Sequence, residues 1–205
     1  MPDQNSGRRA ELLTLAARLF AEHGYRSTTV RDIADAAGIL SGSLYHHFDS
    51  KESMADEILA GFLDELFGTY AQIVEAGLGP RKTLEAVVVA SFEAIDAHPD
   101  AVAIYQNEAK QLAKLPRFEY LDRRNTEFRE LWTGLLADGV REGAFRADLN
   151  VELTYRFIRD TVWVAVHWYD PKGSLSAEGV AQQYLAIVLD GIAARRRPVR
   201  RRLDG

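Results

Sequence analysis

Polar side chains that can bind nucleic acid are concentrated in one short stretch, Ser-Gly-Ser-Leu-Tyr-His at residues 41–46. Small hydroxyl residues beside a glycine let a helix approach base edges closely, while the Tyr45 hydroxyl and the His46 imidazole can reach phosphates. Lys51 adds a positive charge where the amides at the start of a predicted helix already favour an anion. This combination predicts contacts with double-stranded DNA.

A second group of candidate binding residues lies between residues 155 and 169. Arg159 and Trp163 are four residues apart and therefore share one face of a predicted helix. A guanidinium among apolar neighbours is costly to bury unpaired. Arg159 therefore either pairs with an internal acid such as Asp160 or binds an anionic ligand, and both alternatives stay open. The candidate ligand-binding residues are Arg159, Trp163, Tyr155, Val162 and Val166.

Patterns typical of catalysis are absent from the sequence. There is no phosphate-binding loop, zinc-ligand spacing or nucleophile elbow, and without cysteine there is no thiolate chemistry. The adjacent histidines 46 and 47 point about 100° apart on a helix and do not predict a metal site. We expect no catalytic residue, metal or cofactor. A helical enzyme and a ligand carrier that never contacts DNA remain the alternatives from other classes.

The elements that must position these residues are all helical. Apolar residues recur at helical spacing, and no alternating stretch is long enough to predict a sheet. A first helix carries an apolar face from Leu12 to Phe20 and is closed by Gly24. A second runs from a capping box at Thr29 to Gly38, and a third is predicted over residues 41–48. Further helices are predicted at about 50–75, 81–97, 100–114, 117–141, 150–170 and 176–194.

Two short helices joined by a glycine-containing turn predict a helix-turn-helix, whose second helix lies in the major groove. We therefore expect an all-α protein with a three-helix DNA-binding domain at residues 1–51 and a six-helix ligand-binding and dimerisation domain at residues 52–194. The candidate DNA-binding residues are Thr29, Arg31, Leu40, Ser41, Gly42, Ser43, Tyr45, His46 and Lys51.

Charge is distributed unevenly along the chain. The net charge is −5, but residues 1–51 hold six basic and six acidic side chains and are neutral overall. The central part is acidic, whereas six arginines lie between Arg195 and Arg202 in a tail, residues 195–205, that we expect to be disordered. No signal peptide or apolar stretch of the roughly 20 residues needed to cross a membrane is present, so a cytoplasmic protein without a membrane partner is expected.

The N-terminal sequence contains Thr-Thr-Val-Arg-Asp-Ile-Ala at residues 28–34, Gly38, Ser-Leu-Tyr-His-His-Phe at 43–48 and Ser-Lys-Glu at 50–52. Together these residues resemble the TetR family of bacterial regulators. The resemblance implies a repressor that binds a palindromic operator as a homodimer built from its last two helices and is released by a small effector. Many members have a Ser and then a basic residue where this chain has Leu40 and Ser41. We therefore expect an unusual operator.

Residues 37–48, 116–118, 155–161 and 182–189 are similar to a narrower actinobacterial group that governs breakdown of the last two cholesterol rings. This resemblance implies a coenzyme A thioester of a bicyclic steroid remnant as effector, with Arg159 and Trp163 in its pocket. A repressor of another pathway, responsive to multidrug-efflux substrates or to fatty acyl-CoA, is the alternative. Five further cations either meet the coenzyme A end or lie on a solvated surface: Lys110, Lys114, Arg117, Arg123 and Arg124.

Overall fold

The computed structural model describes residues 4–192, and this part of the chain is helical without strands. The expected all-α class is confirmed. The arginine-rich tail predicted at residues 195–205 lies outside the described residues.

Three helices form the N-terminal unit: α1 (Gln4–His23), α2 (Val30–Ala36) and α3 (Ser41–Leu44). Gly24 ends α1 at φ +84° and Gly38 turns the chain between α2 and α3 at φ +67°, a region that favours glycine because it has no Cβ. Leu44 and Phe48 are buried, as are Ile33 and Ala34 of α2. The two short helices thus meet through the apolar residues that the sequence predicts.

Side-chain caps determine where α2 and the following helix begin. The Thr29 hydroxyl accepts a hydrogen bond from the Asp32 amide at 3.2 Å, and the Asp32 carboxylate accepts from the Thr29 amide at 2.7 Å. The hydrogen bonds from the Thr29 hydroxyl and amide lower the pKa of Asp32. Ser50 and Ser53 form the same reciprocal arrangement at the next helix start. Each cap satisfies amides that a helix start leaves unpaired.

Six longer helices follow: α4 (Lys51–Glu75), α5 (Pro80–Ala97), α6 (Pro99–Leu112), α7 (Tyr120–Arg141), α8 (Val151–Trp163) and α9 (Ala177–Ile192). Short 3₁₀ helices at Pro116–Phe118 and Val164–His167 precede α7 and follow α8. Helix α5 is central and packs against α4, α7, α8 and α9. Helix α6 joins the two parts of the molecule because it packs against both α1 and α4.

Two predicted helix bounds are wrong. The third helix was expected to reach Phe48 but ends at Leu44, where the His46 and His47 amides donate to the Ser43 and Leu44 carbonyls in tighter i to i+3 turns. The helix predicted over 150–170 likewise ends at Trp163 and continues as a 3₁₀ turn. In both places the hydrogen bonding tightens at the helix end, which apolar periodicity does not report.

The turn after α7 packs back onto that helix and is hydrogen-bonded to the end of α9. Phe145 folds back onto Gly139 so closely that a Cβ at this glycine would overlap the Phe145 ring. The next amide, that of Arg146, donates to the Ile192 carbonyl at 2.9 Å. The last described residue of α9 is therefore fixed beside the end of α7.

Within residues 4–192 no helix combines the length and apolar character needed to cross a membrane.

Replacing Gly139 with Ala should destabilise the protein, because the methyl group would have to displace the Phe145 ring. Overpacking of this kind costs about 1–3 kcal/mol. Gly134→Ala in the same helix is the matched control, since a Cβ there meets nothing within 4 Å. Helix propensity should make that variant more stable by roughly 0.5–1 kcal/mol. Urea denaturation followed by circular dichroism checks both, and equal midpoints would contradict the packing described here.

Candidate DNA interface and effector cavity

Helix α3 and the residues on either side of it expose most of the side chains that were predicted to contact DNA. Tyr45 is 55% exposed and Leu40 is 80% exposed, and Gly42 and His46 are also at the surface. Ser41 and Ser43 are half-buried along the same short helix. Leu40 makes no side-chain cap at the start of α3. These residues form one continuous surface around a glycine whose Cβ position has no neighbour within 4 Å.

Thr29 and Arg31 lie at the start of α2 beside this surface. Thr29 is exposed but its hydroxyl is engaged in the capping box. The Arg31 side chain is 83% exposed and lies 3.7 Å from Asp35 on the next turn. An exposed pair of this kind is weak, so the guanidinium can exchange its carboxylate for a phosphate at little cost.

Lys51 has a structural role that the sequence did not indicate. Its ammonium donates to the Tyr25 carbonyl at 2.8 Å and to the Thr28 carbonyl at 2.9 Å, and it lies 4.3 Å from the centre of the Tyr25 ring. Burial lowers the pKa of Lys51. Two of the three ammonium hydrogens therefore hold the loop between α1 and α2, which leaves one for a phosphate.

The same loop is also bound by α6. A carboxylate oxygen of Glu108 accepts a hydrogen bond from the Tyr25 amide at 3.3 Å. The Tyr25 ring, which is 6% exposed, packs edge-on against Phe20 of α1 and Phe118. The loop between α1 and α2 is thus connected directly to α4 and α6.

A cavity of about 220 Å³ lies between α4, α6, α7 and α8. Its apolar wall includes Phe62, Phe128 and Trp163, and the rings of Phe62 and Phe128 pack edge-on at centroid distances of 6.4 Å and 5.8 Å from Trp163. The lining residues are Phe62, Leu63, Leu66, Tyr105, Gln106, Ala109, Lys110, Asn125, Phe128, Tyr155, Arg159, Asp160 and Trp163. The volume is just below the ~300–1,000 Å³ of typical small-molecule sites.

Three of the five predicted ligand-binding residues lie on this cavity and two do not. Tyr155, Arg159 and Trp163 line it, whereas Val162 is fully buried in the core and Val166 packs against the core beyond the end of α8. Val162 is taken up by the core, and Val166 lies in the 3₁₀ turn after α8 ends at Trp163, so neither residue forms part of the cavity wall.

Arg159 is neither buried nor withdrawn from the cavity. Its side chain is 44% exposed, its Nε donates to Asp160 at 2.7 Å, and its guanidinium lies 5.6 Å from the centre of the Tyr155 ring. The structure shows the pairing of Arg159 with Asp160 that the sequence left open. Because Asp160 occupies only some of the guanidinium hydrogens, Arg159 keeps donors that a ligand can use.

The polar side of the cavity is made by α6 and α7. The Tyr105 hydroxyl donates to the side-chain amide oxygen of Asn125 at 2.8 Å. Burial is the main cause that raises the pKa of Tyr105. Lys110 is exposed at the same end and has no acidic partner within 4 Å among the described residues. The Trp163 indole N–H is buried without a hydrogen-bond partner in this part of the chain. As far as residues 4–192 define it, the cavity offers donors and no unpaired acid.

The other cations considered for a coenzyme A end are held elsewhere. Arg117 pairs with Asp56, Arg124 with Asp64 and Glu127, and Arg123 with Glu127, while Lys114 donates to Gln111. Of the five, only Lys110 lines the cavity.

A larger depression of about 740 Å³ lies at the far ends of α4 and α7. It is an open surface groove, and apart from one threonine its polar lining side chains are all acidic. The smaller cavity is the better candidate for a small-molecule site, because there aromatic walls meet cationic side chains.

An apolar surface runs along α8 and α9. Leu153, Phe157 and Val164 recur at helical spacing and are 47%, 63% and 47% exposed, and Ile187 of α9 is 77% exposed. These exposed side chains make α8, the turn after it and α9 the candidate surface for contact with another protein.

The comparisons with known proteins agree with this geometry. Residues 12–58 match the family model described as bacterial regulatory proteins, tetR family, and residues 77–192 match the tetracyclin repressor-like C-terminal domain. The HTH-type transcriptional repressor KstR2 of Rhodococcus jostii is 67% identical over 92% of this chain and 93% of its own length. KstR2 of Mycobacterium tuberculosis is 59% identical over 92% of this chain and 94% of its own.

The solved structures show the same relationship in three dimensions. The ketosteroid transcriptional regulator KstR2 of M. tuberculosis superposes with a TM-score of 0.89, covering 92% of this chain and 96% of its own at 59% identity. The probable transcriptional regulatory protein RHA5900 gives a TM-score of 0.86 at 66% identity, with coverages of 91% and 100%. The chain belongs to the TetR family and is a transcriptional repressor of the KstR2 type, not an enzyme.

Proposed function

We propose that this repressor binds its operator as a homodimer and is released by the coenzyme A thioester of a steroid ring-degradation intermediate. The observation that carries the proposal is the cavity between α4, α6, α7 and α8, in which an aromatic wall lies together with Arg159 and Lys110. A flat apolar ring system matches the wall, and a multiply charged tail matches the cations. The KstR2 relatives, one of them named a ketosteroid regulator, support the steroid class.

The size of the cavity indicates which part of such a ligand would lie inside it. A cavity of about 220 Å³ accommodates a bicyclic ring system but not the whole coenzyme A group. The nucleotide part would therefore lie outside, past the two cations. A repressor of lipophilic cations, the multidrug alternative, would need unpaired acids, whereas Asp160, the acid that lines the cavity among the described residues, is already paired with Arg159.

For DNA we propose that the exposed α3 surface enters the major groove. Ser41, Gly42 and Ser43 would approach base edges, with Leu40 as an apolar contact, while Tyr45, His46 and Arg31 would bind phosphates. Thr29 would act through the α2 cap and Lys51 chiefly through the loop that it holds, with its third hydrogen for a phosphate.

The two functions are coupled through α6 in this proposal. Tyr105, Gln106, Ala109 and Lys110 of α6 line the cavity, and Glu108 between them binds the loop that ends α1. A ligand that displaces α6 therefore also displaces the DNA-binding unit. The ligand needs only to prefer the DNA-incompetent state, and about tenfold preference corresponds to about 1.4 kcal/mol.

The dimer would form through α8 and α9. The exposed stripe of Leu153, Phe157, Val164 and Ile187 would be buried against its copy on the partner. Two DNA-binding units would then be spaced for half-sites about 34 Å apart.

Replacing Arg159 with Met should weaken the response to a steroid-derived acyl-CoA without weakening operator binding. Loss of a hydrogen bond to a charged group costs about 1.5–3 kcal/mol, so the effector concentration needed for half release should rise roughly ten- to hundredfold. Fluorescence anisotropy of labelled operator DNA measures both quantities.

The matched control is Arg123→Met, which removes an exposed arginine that does not line the cavity. It should leave the release curve unchanged. An unaltered response in the Arg159 variant would show that Arg159 acts only within the protein and would remove the main support for an anionic effector.

Replacing Ile187 with Glu should break the dimer, because a charge would be buried at the centre of the α8–α9 contact. The expected result is a halved mass in sedimentation with helical content retained, together with loss of tight operator binding. Leu78→Glu is the control, since Leu78 is a comparable exposed apolar residue, 47% exposed, outside the stripe. A dimer that survives the Ile187 change would place the interface elsewhere.

A further inference from the structure

The open groove at the ends of α4 and α7 has an apolar floor. It is lined by Ala71 and Val74 of α4, by Pro80 at the start of α5, and by Leu131 and Leu135 of α7. Val74 is 48% exposed. At about 740 Å³ the groove is larger than the effector cavity and suits an extended peptide segment better than a small molecule.

Acidic residues surround this floor. Glu75, Glu130, Asp138 and Glu142 line the groove, and no lysine or arginine among the described residues lines it. Arg141 pairs with Asp138 at 2.5 Å and approaches Glu142 at 3.8 Å. Glu75 and Glu130 have no ion pair in the part of the chain that the structure describes, so the groove keeps a net negative charge. A segment that binds here must be basic with apolar residues between its charges.

The described chain ends beside this groove. The Arg146 amide donates to the Ile192 carbonyl at 2.9 Å, and Glu142 is four residues before Arg146. A span of four residues covers at most about 14 Å, so Ile192 lies within reach of the acidic end of the groove. The sequence that follows is Ala-Ala-Arg-Arg-Arg-Pro-Val-Arg-Arg-Arg-Leu-Asp-Gly.

We propose that residues 195–203 of this chain dock into the groove between α4 and α7. The pattern of the segment matches the lining: two arginine triplets flank Pro198 and Val199, as the acids of the groove flank its apolar floor. Extended, these nine residues span at most about 30 Å, which is enough to pass from the end of α7 to the end of α4. The first arginine follows Ile192 by three residues, so docking requires no long linker.

Tethering makes such weak contacts sufficient. Exposed ion pairs contribute little each, but a segment attached a few residues away has an effective concentration in the millimolar range. Docking would connect the end of α9 to the ends of α4 and α7, and would keep six arginines away from non-specific phosphates.

Disulfide formation in the full-length protein tests this directly, because the chain has no cysteine of its own. Val199→Cys is combined either with Val74→Cys in the groove or with Ala147→Cys, which is exposed at the chain exit and does not line the groove. An undocked tail would reach position 147 at least as fast as position 74. Docking predicts that the Val74 pair forms about tenfold faster, within one chain.

The second part of the experiment removes two acidic side chains from the groove. Adding Glu75→Gln and Glu130→Gln should slow the Val74 pair several-fold and leave the Ala147 pair unchanged. Equal rates for the two pairs, a disulfide found only between two chains, or a Val74 rate insensitive to the glutamine changes would overturn the proposal.

The other possible binding partner of residues 195–203 is DNA. A chain ending at Ala194 should retain operator affinity and its salt dependence if the arginines are docked on the protein. Loss of affinity together with a shallower salt slope would show that the arginines bind phosphates, and would also overturn the proposal. Neither result depends on which effector fills the cavity. A negative result here would therefore contradict the docking proposal and leave the proposed function unaffected.

Discussion

The loop that joins α1 to α2 depends on a convergence of contacts at Tyr25. Lys51 of α4 donates to the Tyr25 and Thr28 carbonyls, Glu108 of α6 accepts from the Tyr25 amide, and the Tyr25 ring lies between Phe20 and Phe118. Charge-assisted hydrogen bonds are shorter and stronger than neutral ones. Because two C-terminal helices hold this loop, the orientation of the DNA-binding unit is a property of the whole fold.

In the proposed function, occupancy of the cavity acts on this loop through α6. One stretch of α6 contributes four lining residues and, between them, the carboxylate that binds Tyr25. Phe62 of α4 lines the same cavity, and its ring lies 6.0 Å from that of His98 next to the start of α6. We propose that a ligand larger than the cavity displaces α6 and that the close-packed interior passes this displacement to α1.

Much of this organisation is predictable from the sequence, and the failures have identifiable physical causes. The capping box at Thr29, the glycine turns and most helix bounds follow from local patterns. Arg159 and Trp163 share a cavity, as their spacing indicates. Periodicity places Val162 and Val166 on the same helix face as Tyr155 and Arg159, but it does not report that Val162 is buried in the core or that α8 ends at Trp163. The role of Lys51 depends on carbonyls more than twenty residues away, and Glu108 on an amide 83 residues away, so no local signal exists.

The distance between the two DNA-binding units of the proposed dimer tests coupling through α6 most directly. Since the chain has no cysteine, Ala36→Cys at the exposed end of α2 places one spin label on each protomer. Double electron–electron resonance should show one narrow distance with operator DNA and a shifted one when a steroid-derived acyl-CoA is added. An unchanged distance under conditions where the same ligand releases DNA would contradict transmission from the cavity through α6.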